Sequence, residues 1–385
     1  MTRNKNEKQK GYIDYTLIFI LILLLGFGLI MVYSTSSYSA SISALSKNDP
    51  NFYLRKQATA TLFGFGGMAL MAIIPYHTWE RYGLVAYVAA LILVVLVLTP
   101  LGIELNGARR WLNLGMSVQP AEIAKLAMIL FLAAFVNRLG TGIRTRRGFW
   151  FVLFSPMIMC LAVWRITDNL SSAIIIFGIA FLMLFVASPE YKKFVVFSGV
   201  VAGITAVLVF MIVKMSESSA FGFRGARIRA WLNPEAYSTD TGYQTLQALY
   251  AIGSGGIFGN GLGQSTQKLG FIPEAQNDMI FSIICEELGV FGGICVLSLF
   301  VLLLWRLLVI ANNAPDLYGG LLVVGVMGHI AIQVILNVAV VTNMIPNTGI
   351  SLPFISYGGS SVLFLMMEMG LVFSVSRKIV FKDDN

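Results

Sequence analysis

The sequence predicts an all-α integral membrane protein: ten transmembrane helices, with a large extracellular loop between spans seven and eight. Three observations carry that expectation. Of 385 residues, 57% are hydrophobic and only 12% charged, about half the charged share of a soluble domain, and the mean hydropathy is +0.78. The apolar residues fall into runs of about 18 to 25, the length of helix that crosses roughly 30 Å of hydrocarbon. Finally, the basic residues are placed unevenly. With the termini inside, the inner segments hold fifteen Lys/Arg, among them Arg144, Arg146, Arg147, Lys192 and Lys193. The short outer loops hold six, Lys47, Arg55, Lys56, Arg109, Arg110 and Arg165. That is the cytoplasmic bias of Lys and Arg in membrane proteins, and it accounts for the net charge of +8 without invoking nucleic acid.

The spans are expected near 15–33, 57–75, 83–101, 119–137, 149–164, 170–188, 194–213, 278–304, 319–342 and 357–376. The first is retained, because Ser34-Thr35-Ser36-Ser37 follows it instead of a small-residue cleavage site. Residues 1–14 and 377–385 form cytoplasmic tails, 214–277 forms the outer loop, and the whole of 1–385 reads as one domain. Cys160, Cys285 and Cys295 lie inside apolar runs, so neither a disulfide framework nor a thiolate metal site is expected. No internal repeat is visible, which counts against inverted-repeat transporters.

Within the long loop, Arg224, Arg227 and Trp231 fall on one helical face. They predict either a basic helix lying on the bilayer or a solvated helix anchored by its tryptophan. A second amphipathic helix is expected over 243–250. The glycines that follow lack the Gly-Lys-Ser/Thr of a phosphate loop and the preceding strand of a dinucleotide site. They permit tight turns and close backbone approach.

Ionisable groups in or beside membrane helices are costly to bury, so each is a functional candidate. Asp278, where the loop meets the eighth span, is placed either as an outward-facing general base or as a helix N-cap, with Asn277 an equal capper. Glu122 and Lys125, three apart, share a face of the fourth span and are expected to line a polar cavity. Their alternative is to complement the helix dipole. Glu286 and Glu287 point about 100° apart and are assigned to structural hydrogen bonding, His329 to a satisfied position in the bundle, and His77 to the surface. Pro346 and Pro353 exclude a regular helix over 345–361. Ser356-Tyr357-Gly358-Gly359-Ser360-Ser361 then opens the tenth span with backbone N–H groups suited to an anion, or simply with serine caps.

Together these segments resemble the SEDS family (shape, elongation, division and sporulation), ten-span peptidoglycan glycosyltransferases. The resemblance lies in Asn106-Gly-Ala-Arg-Arg-Trp111, Gln119-Pro-Ala-Glu-Ile-Ala-Lys125, Asn233-Pro-Glu235, Gly242-Tyr-Gln244, Ala251 through Gly256, Pro273-Glu-Ala-Gln-Asn-Asp278, Glu286-Glu-Leu-Gly289 and Gly349 through Ser361. It covers residues 15 to 378. Gly261-Leu-Gly-Gln-Ser265 with Gln267-Lys268 is more similar to division-type than to elongation-type members. Asn277 replaces a usual threonine, and Asn347 a usual apolar residue.

The resemblance implies that Asp278 is the catalytic acid residue and that the substrate is lipid II in the outer leaflet. Its undecaprenyl pyrophosphate leaving group is anionic, so cationic side chains nearby would stabilise the transition state. Arg109, Arg110 and Lys125 are the first expected, then Arg224 and Lys268, with Glu122, Glu274, Ser356, Gly358, Gly359 and Ser360 as further substrate contacts. No cofactor is read from the residues and no cluster has metal-ligand spacing, although a Mg or Mn ion could bridge pyrophosphate to Asp278 or Glu122. The implied partners are a class B penicillin-binding transpeptidase, other divisome membrane proteins and membrane lipid, in the bacterial cytoplasmic membrane at the division septum. A lipid II flippase and a non-catalytic scaffold are the competing functions.

Overall fold

The structure is a computed structural model. It describes residues 14–379 apart from 106–107, 114–116, 141, 143–145, 240–241 and most of 189–221. Eleven α-helices among the described residues form the molecule. They are α1 (Tyr15–Ile42), α2 (Phe52–Ile73), α3 (Tyr76–Leu96), α4 (Pro120–Leu139), α5 (Arg146–Thr167), α6 (Leu170–Ala187), α7 (Gly222–Leu232), α8 (Tyr243–Gly255), α9 (Ile280–Asn312), α10 (Leu317–Val341) and α11 (Gly359–Ser376). Seven of these, α1, α3, α4, α6, α9, α10 and α11, are long and apolar enough to cross a membrane. With α2 and α5 they overlie nine of the expected spans. The span expected over 194–213 lies mostly outside the described residues.

Helix ends are fixed by local chemistry. The Asp14 carboxylate accepts from the Leu17 N–H at 3.0 Å and pairs with Arg306 of α9 at 2.6 Å, capping α1 and joining it to a distant helix. Asn169 caps α6 and Asp316 caps α10 in the same way, since side-chain oxygens satisfy first-turn donors. α4 is the most enclosed of the long spans, with α10 and α11 next and equal, and the three make the centre of the bundle. α2 lies close against α11 because Gly370 brings no side chain where the Met68 backbone passes, the small-residue contact typical of helices in lipid.

Two features differ from the all-helical expectation. Residues Gly102–Leu105 (β1), Ala108–Asn113 (β2) and Ser117–Val118 (β3) pair as an antiparallel sheet in the order β1-β2-β3, so the segment expected as an outer loop is a small sheet. The glycine-rich part of the long loop also does not stand outside the bundle. α9 is broken at Gly289, whose φ of 71° is left-handed, and the break leaves backbone groups without helical partners. The loop supplies them. Asn260 N–H donates to the Glu286 carbonyl (3.0 Å) and Gly261 N–H to the Glu287 carbonyl (2.9 Å), while Val290 and Phe291 donate back to Gly256 and Ile257 (2.9 and 3.1 Å). Gly289 lies roughly 14 Å along α9 at 1.5 Å per residue, so 256–261 folds down beside this helix. The physical reason is that irregular backbone at such depth persists only when other protein groups satisfy it.

Candidate functional site

Asp278 stands two residues before the start of α9. The expected N-cap role is not taken: Met279 occupies that position, and no side chain bonds the first turn. The Asp278 carboxylate is partly buried, and it faces Gly349, where an added Cβ would come within 3.8 Å of Oδ2. Burial is the main influence on it. Backbone N–H groups of Asp278 and Met279 and the Arg227 guanidinium favour the charged form, Glu274 opposes it, and the net effect pushes its pKa up to about 6. A base that ionises just below neutrality is suited to accept a proton.

The surroundings converge from four segments. On the turn before α9, Glu274 takes a left-handed φ of 49° and its carboxylate accepts from Asn277 Nδ2 at 2.7 Å. α7 contributes Arg227, whose Nη1 donates to the Asn347 carbonyl at 3.2 Å. Trp231 Nε1 donates to the Asn343 carbonyl at 3.0 Å. These two side chains therefore turn toward the 343–349 segment, an arrangement that neither the bilayer-lying helix nor the solvated, tryptophan-anchored helix read from sequence describes. Arg224 is on the same helix, but its side chain lies outside the described residues. Asn347 Nδ2 donates to Gln244 Oε1 of α8 at 3.0 Å, and Gln244 Nε2 to the Pro273 carbonyl at 3.4 Å. Asn277 and Asn347 thus both hold this cluster together.

Other expected site residues are already committed elsewhere. Glu122 and Lys125 do come together, Nζ to Oε1 at 2.7 Å, but with side chains only 7% and 1% exposed. They form a closed interior pair, with Ser361 also hydrogen-bonding Glu122, where an open cavity lining was expected. Lys268 is likewise buried, its ammonium 2.7 Å from Glu287 Oε1 and 3.0 Å from Ser34 Oγ of α1. It braces the glycine-rich loop and is not available to a leaving group. Arg109 is exposed and pairs with Glu104 at 3.3 Å, and Arg110 donates to the Asp168 carbonyl at 3.2 Å. At the start of α11, Gly358 N–H is used by Gln57 Oε1 (3.1 Å). Ser356 Oγ accepts from Leu352 N–H (2.7 Å) and its carbonyl from Gln57 (3.3 Å). That helix start is therefore partly closed as an anion site, leaving Gly359 and Ser360 as its first helical residues.

Glu286 accepts from the Thr266 N–H (2.9 Å) and the Ser265 hydroxyl, and His329 Nδ1 lies 2.8 Å from Glu368 Oε2. Glu286 is thus bonded structurally, as expected, whereas His329, expected to be satisfied, leaves its Nε2 buried without a hydrogen-bond partner among the described residues. His77 is paired with Asp316 at 2.9 Å. The residue that sequence reasoning missed is Arg227. Its signal was the shared face with Trp231, which points to a surface but not to which one.

A bundle of apolar helices with one partly buried carboxylate, an arginine and irregular backbone gathered at one end defines the class: a polytopic membrane protein with a built acidic site. Comparison with known proteins gives the family. Residues 15–380 match the family described as cell cycle protein, FtsW/RodA/SpoVE, and the chain belongs to it. It is 40% identical to stage V sporulation protein E of Bacillus subtilis over 94% of this chain and 97% of that one. It is 35% identical to a probable peptidoglycan glycosyltransferase FtsW of Trichlorobacter lovleyi, over 94% and 93%. Among solved structures it resembles the rod shape determining protein RodA of Thermus thermophilus (TM-score 0.66, 26% identity, 96% and 98% covered). It also resembles a chain from work on the structural coordination of polymerization and crosslinking by a peptidoglycan synthase complex (TM-score 0.77, 26% identity, 94% and 97% covered).

Proposed function

We propose that this protein is a peptidoglycan glycosyltransferase of the bacterial cytoplasmic membrane. It spans the bilayer ten times, keeps both termini in the cytoplasm and polymerises lipid II at the outer face during septal wall synthesis. The observation that carries this reading is the Asp278 carboxylate, partly buried, facing Gly349 and within the field of Arg227. In the reaction the carboxylate takes the proton of the 4-hydroxyl of an N-acetylglucosamine unit. The hydroxyl oxygen attacks the anomeric carbon of an N-acetylmuramic acid, the bond to undecaprenyl pyrophosphate breaks, and the configuration inverts to give a β-1,4 link. Arg227, whose charge acts on Asp278, is the cation assigned to the departing diphosphate, with Arg224 three residues before it in α7; a planar guanidinium suits a phosphate oxygen pair.

Among the described residues no group of three or more His, Cys, Asp or Glu is arranged to hold a metal, and Glu122 is consumed by Lys125. A Mg or Mn ion arriving with the pyrophosphate would be held by Asp278 and would supply positive charge to the leaving group. The relative in a complex of polymerization and crosslinking supports a transpeptidase partner. The 40% identity to stage V sporulation protein E favours a second assignment of cellular role, wall synthesis during sporulation, with the same chemistry.

The test is Asp278→Asn. Loss of a general base costs about a hundred- to ten-thousand-fold in rate, so the purified variant in detergent micelles is expected to fold normally and lengthen glycan from lipid II at least about a hundredfold more slowly. Wild-type polymerisation by this variant overturns the site. A wild-type protein with no polymerisation in micelles, but with translocation in vesicles, favours a flippase.

A further inference from the structure

No side chain among the described residues hydrogen-bonds the Asp278 carboxylate, and the N–H groups of its own backbone and of Met279 favour its charge. Where it points is therefore set by whatever fixes the main chain at 278. That group is Asn337, fully buried on α10, whose Nδ2 donates to the Asp278 carbonyl and to the Ile350 carbonyl, both at 2.7 Å. Ile350 adjoins Gly349, the residue that faces the carboxylate. Both hydrogens of one amide are spent on the two main-chain strands that form the two walls of the site. One turn earlier on α10, Gln333 repeats the device, donating to the Ser351 carbonyl at 3.0 Å and to its Oγ at 3.3 Å.

We infer that Asn337 is a positioning residue for the polymerisation reaction: by clamping the Asp278 and Ile350 carbonyls it sets the gap between the general base and the wall opposite. The chemistry of the side chain is specific. Two carbonyl acceptors need two donors on one short side chain, and of side chains this size only asparagine has them. An aspartate offers acceptors against acceptors, a leucine offers nothing, and a threonine keeps a single donor. Among the described residues the Asn337 Oδ1 atom has no partner, so orientation of the walls is the bonding role that the amide fulfils. A displacement of the base by about 1 Å is enough to cost about a hundredfold in rate.

This inference rests on Asp278 being the base, and a double-mutant cycle separates the two claims. The purified full-length protein is assayed on lipid II as wild type, Asn337→Leu, Asn337→Thr, Asp278→Asn and Asp278→Asn with Asn337→Leu, with thermal melting of each. The expected results are a kcat loss of about ten- to hundredfold for Asn337→Leu with KM changed less than about threefold, a smaller kcat loss for Asn337→Thr, and a double variant no slower than Asp278→Asn alone. The last result follows because a group acting only through Asp278 has nothing left to act on. Multiplicative losses in the double variant, a loss confined to KM, or wild-type rates in both Asn337 variants overturn the positioning role. If Asn337→Leu does not fold, the kcat and KM of Asn337→Thr decide in its place. Wild-type activity of Asp278→Asn instead removes the base itself.

Discussion

The molecule handles its carboxylates in two contrasting ways. Inside the bundle three acids are matched with bases and enclosed, Glu122 with Lys125 and Glu287 with Lys268, both at 2.7 Å, and Glu368 with His329 at 2.8 Å, while Glu286 is held by the Ser265 hydroxyl and backbone N–H groups. At the end of the bundle Asp278 is partly buried, its charge favoured by backbone N–H groups, and set between the opposing influences of Arg227 and Glu274. Burial of an ion pair in lipid-facing protein is tolerated when both partners are present and is strongly destabilising when one is missing. The interior pairs are thus structural commitments. Among the described residues Asp278 has no ion-pair partner to lose, and its pKa is pushed up to about 6, the range a group needs to exchange protons with a substrate.

The contrast breaks most visibly at Lys268. Lys268→Met leaves Glu287 enclosed with only Ser34 as a side-chain partner, and removing one member of a buried pair costs about 3–5 kcal/mol. The expected outcome is a large fall in melting temperature and poor recovery of monodisperse protein in detergent, with Asp278→Asn melting like wild type. If the two variants melt alike, interior and outer acids are not different in kind.

The next effect is on pH dependence. A general base works deprotonated, and burial has moved Asp278 up to about 6. Polymerisation is therefore expected to be level above about pH 7 and to fall about tenfold for each unit below 6, as the active form is lost to protonation. Initial rates from pH 5 to 8 in one buffer series check this. A rate that holds level down to pH 5 removes the link between Asp278 ionisation and turnover.

Most of the helical frame is legible from composition, because spans are long, uniform and fixed by the thickness of hydrocarbon; nine helices lie where the apolar runs place them. Asp278 is legible too, as an acid at the junction of loop and span. The rest depends on partners distant in sequence. Nothing local to Lys268 announces that it meets Ser34, 234 residues away. The strands over 102–118 are too short to show clear alternation, and the descent of 256–261 beside α9 requires knowing that Gly289 breaks a helix whose hydropathy is continuous. Arg227 lies on a face that sequence identifies as basic, but whether that face meets lipid or the 343–349 segment is a tertiary fact.

A finer pair of substitutions tests the balance around Asp278. Arg227 favours the charged form of this carboxylate and Glu274 disfavours it. Arg227→Ala is therefore expected to raise the proton affinity and move the acid limb of the rate profile to higher pH. Glu274→Gln lowers it and moves the limb to lower pH. Shifts in the same direction from both variants contradict the arrangement of charges. Arg227→Ala is also expected to slow polymerisation about tenfold at pH 8, where Asp278 is fully ionised, because the leaving diphosphate loses a cation.

Arg109 gives the smallest effect and the sharpest limit on which cations matter. It was attractive from sequence as a basic residue on the outer side, yet it sits on β2 with its side chain half exposed, 3.3 Å from an equally exposed Glu104. Exposed pairs contribute little to stability and are screened by salt. If cations act on the leaving group only where burial keeps water from screening them, Arg109→Ala should change polymerisation less than about threefold and melting hardly at all, while Arg227→Ala acts through its place beside Asp278. A loss at Arg109 as large as at Arg227, persisting at 0.5 M salt, would mean that β2 closes over the substrate and that the outer sheet belongs to the site.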